Sequence, residues 1–297
     1  MKKDSSWMDR AKGNNAGTRL FIWIISKIGI LPAYFILFFA SVQYTILDRR
    51  SRIVLQEFRN HAGLKCNVID LFLHFYSFGM SLIDRYAFLI TGKQFFSIST
   101  HNEELIVNEL QKGKGVILIG AHFGNWELAG NLLQDRLNSK VNLLMVDAES
   151  DAVKTTVSKA TENRLVNIIY IGNDAADTTV ALVNALQRGE IVCLHGDRVF
   201  GNQRFEEVAF LGRKARFPIG PFLLSAATGS PVVPIFSMKT GLFRYSFSAL
   251  HPFSFENVPR TQRIEKIRSA CQNYVCELEK MVRKHPLQWF NFYHFWG

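Results

Sequence analysis

The sequence predicts an α/β fold, in which a mostly parallel central sheet is flanked by helices and preceded by an N-terminal hydrophobic helical segment. Short apolar runs alternate with helical stretches and Gly-containing turns from residue 103 onward, which is the pattern of a parallel sheet covered on both faces. An uncharged apolar stretch lies near the N-terminus. A chain of 297 residues favours one large domain with an N-terminal appendage.

The N-terminal appendage, residues 1–95, is predicted to be a membrane-associated helical region. Residues 28–47 carry no charge, and this length is about one bilayer crossing. Residues 1–65 hold 11 Lys or Arg against 4 Asp or Glu, so this part contributes +7 to the net charge of +10. Pro32 can split the apolar stretch, so a single crossing and a shallow hairpin both remain open. Because the basic residues flank an apolar segment rather than a recognition helix, nucleic acid is not an expected partner.

Residues 96–297 are predicted to form the α/β domain, after one or two amphipathic helices within residues 52–90. A hairpin is expected within residues 206–217, turning at Gly212. The aromatic tail that closes the chain is expected to pack onto the body of the protein or onto the bilayer interface. Strands are predicted at Val116–Gly120, Val141–Val146, Asn167–Ile171, Ile191–His195, Val232–Phe236 and 243–253, and helices at 103–112, 126–137, 151–164, 176–188, 218–228 and 261–284.

The cysteines argue against a metal centre. Cys66, Cys193, Cys271 and Cys276 form no CxxC pair and are too sparse for a disulfide framework. Reduced thiols in a cytoplasmic compartment are the simplest interpretation, and no metal is predicted.

The segment most informative about chemistry covers residues 116–130. A buried strand runs into His122, Gly124 permits a tight turn, and Asn125 can cap a helix with Glu127 in its first turn. A turn can bring the Glu127 carboxylate onto the imidazole, where it would fix the tautomer of a general base. Backbone N–H groups near Gly124 and the helix start are candidates to hold a developing oxyanion. Because the chain has no GxSxG segment, no acyl-enzyme is predicted.

The run AHFGNWE, residues 121–127, resembles the H-x4-D/E motif of the lysophospholipid acyltransferase superfamily, and its FGNWE part resembles the branch of lipid A late acyltransferases. GDRVF at 196–200, RFPIGPFLLSAATGSPVVPIF at 216–236 and the aromatic end extend the resemblance over most of the chain. The resemblance implies an O-acyltransferase with His122 as base and Glu127 as its partner. Acyl carrier protein or coenzyme A thioesters would be the donors, as co-substrates rather than cofactors.

The resemblance also implies residues that bind substrate. Arg198 falls where the superfamily often places a substrate-positioning arginine, although an ion pair with Asp197 is an equal alternative. Pro218 and Gly220 occupy the place of an FPEG-like block, in which Ile219 stands where glycerol-phosphate acyltransferases carry an acid. Arg164 lies where the lipid A branch carries a functional arginine.

Two acceptors remain open. A phosphorylated lipid A disaccharide would suit the basic residues Arg198, Arg204, Arg213, Lys214 and Arg216, whereas the aromatic tail favours a related branch acting on another lipid, such as an aryl polyene or an aminoacyl lipid. The expected setting is the bacterial inner membrane, with the site facing the cytoplasm. The alternative function is a membrane-surface lipid-binding or scaffold protein with a degenerate site. The oligomeric state is left unpredicted.

Overall fold

The computed structural model describes residues 15–91, 95–125, 137, 139–146, 166–171 and 175–296. These residues form two compact units. The first contains residues 15–97, apart from 92–94, together with Phe290–His294, and the second contains the other described residues. The helices of the first unit are α1 (Asn15–Lys27), α2 (Ile30–Leu47), α3 (Arg49–His61) and α4 (Val68–Thr91).

The apolar N-terminal segment is interrupted at Gly29 rather than at Pro32. Gly29 separates α1 from α2 and has a φ of 117°, a backbone conformation that favours glycine. Pro32 lies in the first turn of α2, where its missing N–H removes no helical hydrogen bond, and the helix continues unbroken to Leu47. Pro32 therefore does not split the segment, although the sequence left that possibility open.

The first unit exposes a large apolar surface on α2. Phe35 and Leu47 are each 68% exposed, while Ala33, Tyr34 and Leu37 on the opposite side are buried within the unit. In the described part of the chain, Ile30–Leu47 is also the one helix that is long and apolar enough to cross a membrane, judged by length and composition alone.

The second unit is built on a seven-stranded sheet with the order β1-β9-β8-β2-β5-β3-β4. The four pairs that link β8, β2, β5, β3 and β4 are parallel, and β9 pairs with β8 in the antiparallel direction. A separate antiparallel hairpin joins β6 and β7. The strands are β1 (Ser97–His101), β2 (Val116–Gly120), β3 (Val141–Val146), β4 (Val166–Ile171), β5 (Ile191–His195), β6 (Phe205–Phe210), β7 (Arg213–Pro218), β8 (Val232–Gly241) and β9 (Arg244–Ala249).

The helices of the second unit are α5 (Glu104–Gln111), α6 (Ala175–Gln187), α7 (Gly220–Thr228) and α8 (Arg263–Lys284). All five residues of β2 are buried, as expected for a central parallel strand covered on both faces. The predicted fold class, a mostly parallel sheet with flanking helices and an apolar N-terminal helix, is confirmed. The helices predicted at 126–137 and 151–164 lie outside the described residues, apart from Leu137, which is helical.

The aromatic tail packs onto the protein. Within the first unit, the Phe292 ring stacks on Phe75 with centroids 5.7 Å apart. Within the second unit, the Trp289 ring is fully buried and contacts Phe210 and Phe295. The tail therefore contributes core side chains, which is one of the two roles expected for it.

Candidate active site

The candidate site lies at the carboxyl ends of β2 and β5, which are neighbours in the sheet. Gly120, the last residue of β2, is in register with His195, the last residue of β5. The Gly120 carbonyl accepts hydrogen bonds from the Gly196 amide at 2.8 Å and from the Tyr274 hydroxyl at 2.7 Å. The segments that follow the two strands are thus held together, in the position where open α/β sheets commonly place reactive groups.

The turn after β2 is fixed by close backbone packing at Gly124. Its φ is 63°, and a Cβ atom on this residue would lie 1.7 Å from the carbonyl oxygen of Ser237. The Gly124 amide donates to the Gln288 carbonyl at 2.8 Å, and the Asn125 amide donates to the Ser237 carbonyl at 2.9 Å. Because an amide carries a single hydrogen, these two groups are engaged in this conformation. The predicted helix start lies outside the described residues, so an oxyanion site in this segment stays a prediction.

His122 is held by the buried carboxylate of Asp197. The imidazole Nδ1 lies 2.8 Å from Asp197 Oδ1, and the His122 backbone amide donates to Asp197 Oδ2 at 2.9 Å. The side chain of Asp197 is 2% exposed, whereas that of His122 is 25% exposed. One carboxylate therefore fixes both the main chain and the ring of His122, and the ring keeps access to solvent.

The surrounding groups favour a charged Asp197 and a neutral His122. Burial alone would raise the pKa of Asp197, but attraction to His122, their hydrogen bond and the charge of Arg198 outweigh it, and the net shift of the pKa is downward. Burial and the positive charge of Arg198 lower the pKa of His122, more than Asp197 raises it. With Asp197 as an acceptor, the hydrogen of neutral His122 sits on Nδ1 and the lone pair on Nε2.

A second imidazole lies against that lone pair. His195 Nδ1 is 3.2 Å from His122 Nε2, and the ring centroids are 4.1 Å apart. Burial and the neighbouring His122 lower the pKa of His195 well below its usual range. Both histidines are therefore neutral near pH 7.

His122, His195 and Asp197 also offer the donor types of a metal site, with ligand atoms all within 4.8 Å of one another. His122 Nδ1 and Asp197 Oδ1 are hydrogen-bonded to each other, however, so an ion between the rings would gain only two imidazole nitrogens from this group. A zinc ion normally takes three or four protein ligands. The absence of a metal stays a prediction.

The structure describes some of the remaining predicted site residues and not others. Glu127 and Arg164 lie outside the described residues, as does the helix that Asn125 was expected to cap. Arg198 lies within electrostatic range of the two histidines and Asp197, and a positioning role and an ion pair both remain open for it. Pro218 ends β7 and Gly220 begins α7, and their roles in substrate binding stay predictions.

The sequence alone indicated no catalytic role for Asp197 or His195. Strand Ile191–His195 was predicted with the bounds that the structure has, and HGD is a polar run at its carboxyl end. The sequence did not show that β2 and β5 are neighbours in the sheet. The two strands are separated by 70 residues in the chain, and their composition does not reveal the strand order. The polar run at the strand end was the available signal.

The chain is a member of the lysophospholipid acyltransferase superfamily, to which the match of a family model over most of its length assigns it. More particularly, the chain belongs to the bacterial lipid A biosynthesis acyltransferase family, whose model matches residues 74–296.

Among curated proteins, the chain is similar to the phosphatidylinositol mannoside acyltransferases of two Mycobacterium tuberculosis strains, CDC 1551 / Oshkosh and ATCC 25618 / H37Rv. Each is 25% identical over 125 residues, which is 42% of this chain and 39% of the relative. The match thus spans about two fifths of these relatives. Among solved structures, the 1-acyl-sn-glycerophosphate acyltransferase PlsC from Thermotoga maritima is 11% identical, with a TM-score of 0.41 over 90% of this chain and 97% of that one.

Proposed function

We propose that this acyltransferase moves a fatty acyl group from an acyl thioester to a hydroxyl group of a lipid or glycolipid, with His122 as the general base. The observation that carries the proposal is the hydrogen bond between His122 Nδ1 and the buried Asp197 carboxylate. This bond leaves a basic nitrogen on a partly exposed ring at the end of a central strand. The donor is an acyl carrier protein or coenzyme A thioester, a co-substrate rather than a resident cofactor.

In the proposed reaction, His122 Nε2 takes the proton of the acceptor hydroxyl while the hydroxyl oxygen attacks the carbonyl carbon of the thioester. The carbon–sulfur bond then breaks, the oxygen ester forms, and the thiolate leaves with the proton returned from the imidazolium. The Asp197 carboxylate stabilises the transient positive charge on the ring. His122 and Asp197 thereby supply both orientation and charge compensation, and Glu127 stays a predicted partner.

The surroundings of Cys193 support direct transfer without an acyl-enzyme. This cysteine lies on β5 inside the hydrophobic core, close to the site in sequence, and burial raises the pKa of its thiol to about 12. A nucleophilic cysteine needs its thiolate form near neutral pH. The acceptor hydroxyl is therefore the nucleophile that we assign to the reaction.

The proposal is tested by incubating the purified full chain with palmitoyl coenzyme A or palmitoyl-acyl carrier protein and a bacterial total lipid extract. We expect release of the free thiol together with a new palmitoyl ester in the lipid mass spectrum. Lipid binding with neither product, for both donors, would instead favour the membrane-surface scaffold.

The proposed acceptor is either a lipid A-like glycolipid or another bacterial lipid. The β6–β7 hairpin exposes Arg213 and Lys214, and Arg204 is exposed directly before it; these side chains can receive phosphate groups. Arg216 on the same hairpin lies 3.5 Å from Glu207 and over the ring of Phe205, so it is already partly engaged. This basic surface favours an acceptor that carries phosphate.

The site is proposed to work at the cytoplasmic face of a bacterial inner membrane, to which α2 attaches the protein. Its exposed apolar residues end at Leu47, and exposed Arg49 and Arg50 follow after Asp48, whose carboxylate accepts hydrogen bonds from Ser51. An apolar surface bordered by cations suits insertion beside anionic headgroups. A crossing by α2 and a shallow insertion both remain compatible with this arrangement.

Replacing exposed aromatic residues of α2 should weaken membrane binding. Phe35 and Phe39 contact each other with ring centroids 5.3 Å apart and are both largely exposed, so F35S/F39S removes apolar surface without opening the core. We expect at least a tenfold lower apparent affinity for vesicles of phosphatidylglycerol and phosphatidylethanolamine, since each aromatic side chain contributes about 1.5–3 kcal/mol when buried. Q43S, on an exposed polar residue of the same helix, is the control. Equal sedimentation of both variants with vesicles would argue against attachment through this surface.

A further inference from the structure

The contact between His122 and His195 places a second imidazole on the nitrogen that the proposed reaction uses. His122 follows β2 and His195 ends β5, and these two strands are adjacent and parallel. The two rings meet at an interplanar angle of 64°. The 3.2 Å separation of His195 Nδ1 from His122 Nε2 is within the range of a hydrogen bond.

The hydrogens of this contact follow from the partner on the other side of His122. Asp197 can only accept, so it takes the hydrogen on His122 Nδ1, and a neutral His122 then has a lone pair on Nε2. His195 Nδ1 must carry a hydrogen in order to bond to that lone pair. The direction of donation is therefore from His195 to His122, and then from His122 to Asp197.

We propose that His195 is a positioning residue, which donates its Nδ1 hydrogen to His122 Nε2 and holds the base oriented and unprotonated until the acceptor hydroxyl takes its place. This inference rests on the proposed function. A protonated Nε2 carries a hydrogen of its own, so the contact exists only while His122 is neutral. His195 consequently favours the resting base over its imidazolium.

The acid limb, which is the fall of kcat at low pH as His122 becomes protonated, depends on few groups in the described part of the chain. His122, Asp197 and Arg198 act on His195, and Tyr274 reaches the same strand end from α8. Burial raises the pKa of Tyr274 well above its usual range, so this phenol stays neutral. Removal of the hydrogen bond from His195 should therefore raise the pKa of His122 and move the acid limb to higher pH.

The test compares H195A with H195N, because the asparagine side-chain amide places an N–H donor close to the position of Nδ1 but does not titrate. For H195A we expect kcat to fall about 10- to 100-fold with little change in KM, through misorientation of the base, and the acid limb to rise. The kcat of H195N should stay within a few-fold of the wild-type value, and its acid limb should lie at the same pH as that of the wild type. Palmitoyl coenzyme A or palmitoyl-acyl carrier protein with lipid extract serves as the substrate pair, and thermal unfolding checks the fold.

Nitrogen-15 NMR of the histidine rings gives a readout that does not depend on activity. In the wild-type full chain at neutral pH, the rings of His122 and His195, assigned by difference with H122Q and H195N, should both carry their hydrogen on Nδ1. A hydrogen on Nε2 of His195 would overturn the inference, as would wild-type kcat and pH profile in H195A. A wild-type protein without transferase activity would remove the proposed function instead, and the NMR result would still decide the hydrogen bond.

Discussion

H122A should lose acyl transfer by about 10²–10⁴-fold in kcat, the usual contribution of a positioned general base. The alanine side chain can neither take the hydroxyl proton nor hold the bond to Asp197. The KM for the acyl thioester should change little, because the imidazole acts on the acceptor oxygen. The measurement is steady-state thiol release with lipid acceptor present.

The control for this variant is H251A, since His251 is exposed on the second unit and is assigned no role in the site. It should keep wild-type kcat. Thermal unfolding of both variants separates lost chemistry from lost folding. Full activity in a folded H122A protein would exclude His122 as the base.

D197N should reduce kcat by a similar order, about 10²–10⁴-fold, although the substitution is nearly isosteric. Asp197 accepts one hydrogen bond from the His122 amide and one from Nδ1, and an asparagine side chain has only one oxygen. If its amide nitrogen faces the ring, the His122 hydrogen moves to Nε2, and the basic lone pair then lies on Nδ1, where it cannot reach the acceptor hydroxyl. If that nitrogen faces the backbone, two N–H groups oppose each other.

E127Q is the informative comparison for D197N, because the sequence motif assigns the orienting carboxylate to Glu127. The observed hydrogen bonds predict the larger loss for D197N. D177N, in the exposed first turn of α6, should leave the rate unchanged. A severe loss in E127Q with near wild-type activity in D197N would return the orienting role to Glu127.

The centre of the sheet was predictable because β2 and β5 are buried on both faces and therefore form almost continuous apolar runs. Val116–Gly120, Val141–Val146 and Ile191–His195 were predicted with the bounds observed, and the hairpin and closing helix were found within a few residues. Strand Ser97–His101 was missed, since it is a polar edge strand whose pairing with β9 comes from the tertiary fold. Strand β8 runs to Gly241, beyond the predicted end at Phe236, because the pairing of its last residues with β9 also comes from the tertiary fold.

The site was predictable in part. The position of His122 after a central strand followed from the apolar run that precedes it. Its observed carboxylate partner comes instead from the segment after β5, and that partnership depends on the strand order and register, which local sequence does not encode. The engagement of the Gly124 and Asn125 amides likewise depends on distant carbonyl groups of Ser237 and Gln288.

The pH dependence of kcat/KM for acyl transfer tests most directly whether a neutral His122 is the base. Since burial and the charge of Arg198 lower the pKa of His122 from its ordinary 6.5, kcat/KM should be constant around neutral pH and fall tenfold per pH unit below that lowered pKa, as the imidazole becomes protonated. A fall in kcat/KM centred above pH 6.5, or a rate that rises as the ring gains its proton, would contradict the account.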